Sequence, residues 1–282
     1  MSVLLKKIAL PVVFLWALVV APDAITATSA ASHRQVSSPD GQHSLHLAFA
    51  GNQQSPLVVF VHGSPGSWNG WEKYLDDMHL REVALMVAVD RPGFGGSNDG
   101  SSGLSLKAQS DSIMSAVATV FPEKHNVIVV GHSYGAPVAV RMAVDYPERV
   151  ASTLLLAPAM DPEIVRVRWY NKLVGMWLFR WMLPDFVTHS NNEMMLLPQE
   201  LATMEPLLHL VRAPTTVIQG DRDKLVLPGN ADFVKKALTN ARVDVSHMPK
   251  AGHLLPWKEF DKTKNALLSH IVELANVERA KL

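Results

Sequence analysis

Short apolar runs and segments of helical periodicity alternate along most of the chain. Continuous apolar runs are typical of strands that are buried on both faces of a sheet. They predict strands at 57–61, 83–89, 127–130, 152–157, 215–219 and 243–247, with an alternating, half-exposed strand at 43–49. Apolar residues at helical spacing predict helices at 71–79, 104–120, 133–146, 231–238 and 257–276. This alternation indicates an α/β fold, a mostly parallel sheet with helices on both faces.

One segment, about residues 161–209, breaks the alternation because it contains no predicted strand. It lies between two sheet strands, so the chain must leave the sheet and return. We predict a helical cap insertion over a site that binds apolar groups. A helical insertion that packs its own aromatic residues, or a surface that touches a membrane, would fit the same pattern. The segment carries Trp169, Trp177, Trp181, Phe179, Phe186, Met176, Met182, Met194, Met195 and Met204, with Arg166, Arg168, Lys172 and Arg180 among them.

The N-terminus has the order of regions found in an export signal. Lys6 and Lys7 precede an apolar run over 8–21, and residues 26–32 are mostly small or polar. The run is shorter than the roughly 20 residues of a membrane-spanning helix. We therefore predict that residues 1–31 are a signal peptide or N-terminal anchor and that 32–282 form the folded domain. The expected location is periplasmic or secreted, with attachment to the inner membrane if the signal stays uncleaved.

Composition removes several classes of function. The 282 residues have a formal net charge of zero and no basic stripe, which argues against a nucleic-acid partner. Because there is no cysteine, disulfides, thiolate metal sites and a cysteine nucleophile are excluded. The 12 histidines form no H-x-x-x-H or H-E-x-x-H pair, so a zinc site has little support. We expect neither a metal nor a cofactor.

The stretch from Gly131 to Gly135 fits the pattern G-x-S-x-G and stands between a predicted strand and a predicted helix. A sharp strand-to-helix turn can hold one side chain in an exposed, strained position. The helix N-terminus then directs its N–H groups at negative charge that develops nearby. This context predicts Ser133 as a nucleophile. A plain structural turn with an exposed serine is the alternative interpretation.

A serine nucleophile needs a base, and the base needs a carboxylate to orient it. Asp221 and Asp223 follow the predicted strand at 215–219, and His253 follows the strand at 243–247. The carboxyl ends of parallel strands meet at one edge of a sheet, so these side chains should gather near Ser133. The chain order is serine, aspartate, histidine.

With these landmarks the chain resembles the α/β-hydrolase family over about residues 45–275. Residues 62–66, HGSPG, resemble the family's H-G-x-P-G oxyanion loop, and residues 90–97, DRPGFGGS, resemble its D-x-x-G-x-G-x-S loop. The resemblance implies that Ser133 is the nucleophile, His253 the base and Asp223 the acid, with Asp221 as the alternative acid. It also implies an oxyanion hole. Its members would be the N–H groups of Ser64 and Tyr134, since Pro65 has no N–H.

The HGSPG loop also resembles that of epoxide hydrolases and haloalkane dehalogenases, which carry a carboxylate where this chain has Ser133. The departure favours hydrolysis of an acyl bond, a carboxylic ester first. The aromatic, methionine-rich cap favours an apolar acyl group in a small-molecule substrate. A ligand-binding or membrane-associated accessory protein of low turnover stays an alternative, as do epoxide, C–C bond, peptidase and perhydrolase chemistry. Nearby polar residues have structural interpretations: His62, Asp90 and Ser97 as loop-shaping residues, and Trp68, His132 and Tyr134 as either packing or substrate contacts.

Overall fold

The computed structural model describes residues 31–37, 43–97, 103–165 and 184–280. They form an eight-stranded sheet in the order β1-β2-β4-β3-β5-β6-β7-β8. The first two pairings, β1 with β2 and β2 with β4, are antiparallel, and the others are parallel. The strands are β1 (Ser32–Ser37), β2 (Ser44–Gly51), β3 (Leu57–Val61), β4 (Leu85–Val89), β5 (Val127–His132), β6 (Val150–Leu156), β7 (Thr215–Gly220) and β8 (Val243–Met248). The predicted mostly parallel sheet is confirmed.

Helices cover both faces of this sheet, as predicted. The described α-helices are α1 (Glu72–Leu75), α2 (Met78–Val83), α3 (Leu106–Val120), α4 (Gly135–Asp145), α5 (Asp185–Met204), α6 (Gly229–Ala237), α7 (Leu255–Lys258) and α8 (Phe260–Arg279). Because successive strand residues point to opposite faces, each buried strand contributes side chains to two hydrophobic cores, one on each face of the sheet. Val59 of β3 packs with Ile113 of α3 and Met142 of α4, whereas its neighbour Phe60 packs with Tyr74 and Leu267 on the other side.

Three of the differences from the sequence predictions have a plain physical reason. The strand β1 was not predicted, because its sequence SHRQVS has a single buried residue, Val36, and its position depends on backbone pairing with β2. The predicted helix at 71–79 is a 3-10 turn followed by α1 and α2, and α2 starts anew where the Asp77 side chain accepts from Leu80 N–H. Val83 ends α2, so the strand predicted from 83 begins at Leu85.

The predicted cap lies between β6 and β7. Its described part consists of α5 and a 3-10 turn, Glu205–Leu210, and no strand occurs in residues 157–165 or 184–214. The tryptophans and basic residues singled out in the cap, with Met176, Phe179 and Met182, lie outside the described residues, and so do residues 1–30 with the predicted export signal. Across the described ranges, no helix combines the length and the apolar character needed to cross a membrane. The division into 1–31 and 32–282 stays a prediction.

Candidate active site

Ser133 follows β5 directly and occupies an unusual backbone conformation. Its φ angle is 54°, in the left-handed region that few residues other than glycine adopt. Backbone hydrogen bonds hold it there. Its N–H donates to the Leu156 carbonyl at 3.0 Å, and its own carbonyl accepts from Ala136 at 3.1 Å and from Ala159 at 3.2 Å. A strained residue held on several sides by its surroundings is common at functional sites.

The glycines on either side of Ser133 allow β5 and α4 to approach closely. A Cβ atom at Gly131 would lie 2.5 Å from the carbonyl oxygen of Gly135, and one at Gly135 would overlap the carbonyl oxygen of Val61 in β3. Side chains at these positions would push α4 away from the sheet. The glycines of the G-x-S-x-G pattern are therefore required by the sharp turn that exposes Ser133.

Asp223 and His253 form a hydrogen-bonded pair. The Nδ1 atom of His253 lies 2.7 Å from Oδ2 of Asp223, whose side chain is fully buried. The other carboxylate oxygen, Oδ1, accepts from the N–H groups of Leu225 at 2.8 Å and Val226 at 2.9 Å. With these three bonds the carboxylate has one orientation. It holds the proton of His253 on Nδ1 and leaves Nε2 as the basic nitrogen.

The loops after β7 and β8 bring this pair together. Gly220 ends β7, and a Cβ atom there would lie 2.6 Å from the carbonyl oxygen of Ala251. Backbone bonds then run from Asp221 N–H to Met248 O at 3.0 Å and from Arg222 N–H to Ala251 O at 2.9 Å. The Asp221 side chain turns outward, where its carboxylate lies 2.8 Å from Nδ1 of His247. Asp223, not Asp221, therefore contacts His253.

His132 contacts His253 through a hydrogen bond and through ring packing. Its Nε2 donates to the His253 carbonyl at 3.1 Å, and the two rings lie 4.8 Å apart. Burial, and then the neighbouring His253, lower the pKa of His132 from 6.5 to about 3, so His132 is neutral at ordinary pH. Ser133 Oγ makes no hydrogen bond to His253 within the described part of the chain, and such bonds are often long before substrate binds.

The loop after β3 packs its backbone against Ser133. A Cβ atom on Gly63 would lie 3.1 Å from Cβ of Ser133, so the Gly63 backbone packs directly against the nucleophile position. The next residue, Ser64, donates its hydroxyl hydrogen to Ser190 of α5 at 2.9 Å. Its backbone N–H, like that of Tyr134, donates to no acceptor among the residues described. Neither N–H group is therefore committed to an acceptor in the part of the chain that the structure describes.

His62 is held as a neutral structural residue. Its Nδ1 donates to the Gly63 carbonyl at 2.7 Å, and its Nε2 accepts from Arg91 N–H at 3.0 Å. Burial, and then the nearby Arg91 cation, keep the pKa of His62 well below 6.5. Both ring nitrogens are occupied, so His62 cannot act as a second base.

The remaining residues singled out in the sequence make hydrogen bonds or ring contacts within the protein. Asp90 accepts from Trp68 N–H at 2.6 Å and from Gly96 N–H at 2.8 Å, and Ser97 Oγ donates to the Asp90 carbonyl at 2.8 Å. Trp68 packs its ring against His33. The Tyr134 side chain is buried, points away from solvent and lies under the Arg91 guanidinium.

The sequence interpretation missed two buried residues near this site, Arg91 and Glu193. Arg91 belongs to the 90–97 loop motif but was not singled out within it. Glu193 lies 102 positions later in the sequence, on α5. A charged residue in a helix of the cap gives no signal of burial, because its partner is distant in the sequence. Only the folded chain brings them together.

Residues 58–263 match the alpha/beta hydrolase family. Among curated proteins, the chain is 34% identical to the AB hydrolase superfamily protein YfhM of Bacillus subtilis over 37% of this chain and 36% of that protein. It is 31% identical to epoxide hydrolase B of Mycobacterium tuberculosis over 36% of this chain and 29% of that protein. The chain thus spans about a third of the length of these relatives.

A longer but weaker match is to the 2-hydroxy-6-oxononadienedioate/2-hydroxy-6-oxononatrienedioate hydrolase of a Pseudomonas species, 22% identical over 88% of this chain and 99% of that protein. Solved structures that share the fold include the following two. One is a membrane phospholipase A with a TM-score of 0.64 and 19% identity, covering 98% of this chain and 99% of that one. The other is an epoxide hydrolase from Vigna radiata with a TM-score of 0.66 and 17% identity, covering 88% and 99%. Because the family match extends over well more than half of the 282 residues, the chain belongs to the alpha/beta hydrolase family.

Proposed function

We propose that the protein is a serine hydrolase that cleaves a carboxylic ester through an acyl-enzyme. The observation that carries the proposal is the bond of 2.7 Å between His253 Nδ1 and Asp223 Oδ2, together with the strained position of Ser133. A histidine oriented by a buried carboxylate has its Nε2 free to take a proton from a serine hydroxyl. The three residues occur at the carboxyl ends of β5, β7 and β8, on one edge of the sheet.

In the proposed reaction, Ser133 Oγ attacks the acyl carbon while its proton moves to His253 Nε2. The carbonyl oxygen becomes an oxyanion that accepts hydrogen bonds from Ser64 N–H and Tyr134 N–H. Collapse of the tetrahedral intermediate breaks the bond to the leaving oxygen, which takes the proton from His253 and departs as an alcohol. Water then attacks the acyl carbon of the acyl-enzyme and gives a proton to His253. The bond between the acyl carbon and Ser133 Oγ breaks, Oγ takes that proton back, and the carboxylic acid is released. Each oxyanion donor is expected to supply about 3–4 kcal/mol of transition-state stabilisation.

The position of Tyr134 N–H supports its proposed role. Tyr134 precedes the first residue of α4, Gly135, so its N–H lies at the positive end of the helix dipole. An oxyanion beside Ser133 would thus meet both a hydrogen-bond donor and the helix terminus. No metal or cofactor takes part in these steps.

Epoxide hydrolysis is the second candidate, because relatives named as epoxide hydrolases match the chain. The serine at position 133 weighs against it, since the epoxide hydrolases that this chain resembles form their alkyl-enzyme ester with a carboxylate. Activity on p-nitrophenyl esters with none on styrene oxide would support the ester proposal. The opposite pattern would contradict it.

We also propose that the acyl group is apolar and enters beneath the cap, and that the protein is exported. The first proposal is motivated by the aromatic residues and methionines between β6 and β7, and the second by the order of regions at the N-terminus. A series of p-nitrophenyl esters from acetate to dodecanoate tests the first. Cell fractionation of the full chain tests the second, with recovery only in the cytoplasm as the contradicting result.

A further inference from the structure

Arg91 is completely buried beside the proposed oxyanion hole, and all its side-chain donors are used. A guanidinium has five N–H groups. Nε donates to the His62 carbonyl at 2.9 Å, and Nη2 donates to the Gly63 carbonyl at 2.9 Å. The other three bonds go to Glu193 Oε1 at 2.5 Å, Glu193 Oε2 at 3.0 Å and Gln109 Oε1 at 2.9 Å. Arg91 thus joins the backbone of the loop after β3 to two different helices.

The bond to the Gly63 carbonyl fixes a peptide group that the proposed reaction uses. The carbonyl of Gly63 and the N–H of Ser64 belong to one planar trans peptide, so they point in opposite directions. Arg91 Nη2 and His62 Nδ1 both donate to the carbonyl side. Rotating the peptide would break both bonds inside the protein, where unsatisfied polar groups are costly.

Glu193 extends this arrangement into the cap. Its carboxylate is buried and binds Arg91 through both oxygens. Ser190 lies three residues earlier on α5, on the same helix face, and accepts the Ser64 hydroxyl hydrogen at 2.9 Å. One face of α5 therefore contacts the oxyanion loop directly through Ser190 and indirectly through Glu193 and Arg91.

We propose that Arg91 and Glu193 are positioning residues that hold the Ser64 N–H in the direction required to bind the oxyanion. This inference rests on the proposed function, because it concerns the same reaction. Neither side chain touches the substrate. Arg91 acts through the Gly63–Ser64 peptide, and Glu193 acts by holding Arg91. The alignment of the oxyanion hole thus depends on a helix of the cap.

The primary variant is Arg91→Lys, since an ammonium group cannot bind two carbonyls and a carboxylate in the planar arrangement of a guanidinium. Turnover is measured on p-nitrophenyl acetate and divided by the number of sites labelled exhaustively by a fluorophosphonate probe. This normalisation removes loss that comes from unfolded protein. The expected kcat per labelled site falls about 10–100-fold while KM stays within about threefold, because the donor acts mainly in the transition state.

A matched control is Arg141→Lys, which weakens another arginine–carboxylate pair, Arg141 with Asp145 at 2.8 Å, on the same chain. It should leave kcat per labelled site unchanged. A second readout is inhibition by a phenylboronic acid, whose tetrahedral adduct on Ser133 places an oxygen in the hole. Its inhibition constant should rise in Arg91→Lys by about the factor that kcat falls, which a purely structural role would not produce.

If Arg91→Lys does not fold, Glu193→Gln tests the positioning role instead, because glutamine keeps the shape of the glutamate side chain. The expected result is a fall in kcat per labelled site of about 3–10-fold with little change in KM. Unchanged kcat and boronic-acid inhibition in the folded variants would overturn the positioning role while leaving the serine hydrolase intact. If the wild-type protein is neither labelled nor active on esters, the proposed function fails and this inference fails with it.

Discussion

At the scale of single residues, the two aspartates after β7 show how surroundings separate chemically identical groups. Asp223 is buried and receives hydrogen bonds from His253, Leu225 and Val226. Asp221, two positions earlier, lies at the surface beside His247. A buried carboxylate with a fixed orientation can hold a histidine in one tautomer, whereas an exposed one cannot do so reliably.

This contrast predicts the outcome of a paired substitution. Asp223→Asn should lower ester turnover by roughly 10⁴-fold, because the amide would no longer hold the productive tautomer of His253. Asp221→Asn is the matched control and should lower turnover by less than about threefold. Steady-state kinetics on one ester measures both. The reverse ranking would show that the acid of the site is Asp221.

His132 gives a second prediction at this scale, on stability. The folded protein keeps its pKa at about 3, whereas the unfolded chain has the ordinary value near 6.5. Its contribution to stability is therefore complete above pH 6.5 and is lost progressively as the pH falls towards 3. When the pH is lowered from 7 to 5, the unfolding free energy of the wild type should fall. That of His132→Gln should fall by about 1–2 kcal/mol less. Urea unfolding at both pH values measures this, and equal losses would contradict the assignment.

At the scale of elements, sequence patterns predicted the strands whose residues are buried on both faces. The runs at 57–61 and 127–130 are apolar at every position, and β3 and β5 are buried throughout. By contrast, β1 has one buried residue and exists because β2 offers an edge with which it can pair. Pairing of that kind leaves no hydrophobic pattern, so it cannot be read from the strand alone.

Residues of the candidate site differ in the same way in whether the sequence predicts them. Ser133 and the Asp223–His253 pair were predictable because each lies in the turn or loop that follows a strand, where parallel topology brings side chains to one edge. Arg91 and Glu193 were not, because their partnership depends on how α5 returns over the sheet. Neither local spacing nor hydrophobic pattern records a contact between elements so far apart in the chain.

The cap supplies the prediction at this scale. If the segment between β6 and β7 binds the acyl chain, Trp177→Ala or Trp181→Ala should shift the preferred ester length and raise KM for long esters. Turnover of acetate should change by less than about tenfold, since one apolar contact is worth about 1–3 kcal/mol. The ester series measures this. Variants with an unchanged length profile and weaker liposome binding would indicate a membrane-contact surface instead.

At the scale of the whole molecule, β1 connects the first described residues to the rest of the sheet. Residues 32–37 pair with residues 44–49 of β2, and His33 Nδ1 lies 3.0 Å from His46 Nε2. His46 in turn lies 2.8 Å from Asp90, the residue that shapes the 90–97 loop. β1 is therefore linked to a loop at the edge of the sheet that carries the candidate site.

The predicted start of the folded domain at residue 32 implies two different results of truncation. If that boundary is right, removal of residues 1–30 should leave ester hydrolysis unchanged and the melting temperature within about 2 °C. Removal of residues 1–38 deletes β1 and should lower the melting temperature by about 5 °C or more. Thermal unfolding and ester assays measure both. Aggregation of the shorter truncation would mean that the N-terminal segment is part of the fold.

The central claim, that Ser133 is the nucleophile of an acyl-transfer site, is tested most directly by covalent labelling. The full protein is treated with a fluorophosphonate, digested and examined by mass spectrometry, with Ser133→Ala as the matched variant. We predict one adduct on Ser133, none on the variant, and loss of ester hydrolysis to below about one percent with an unchanged melting temperature, since deleting the nucleophile removes the covalent path. An unlabelled wild-type protein, an adduct on another residue, or a variant that keeps its activity would contradict the account.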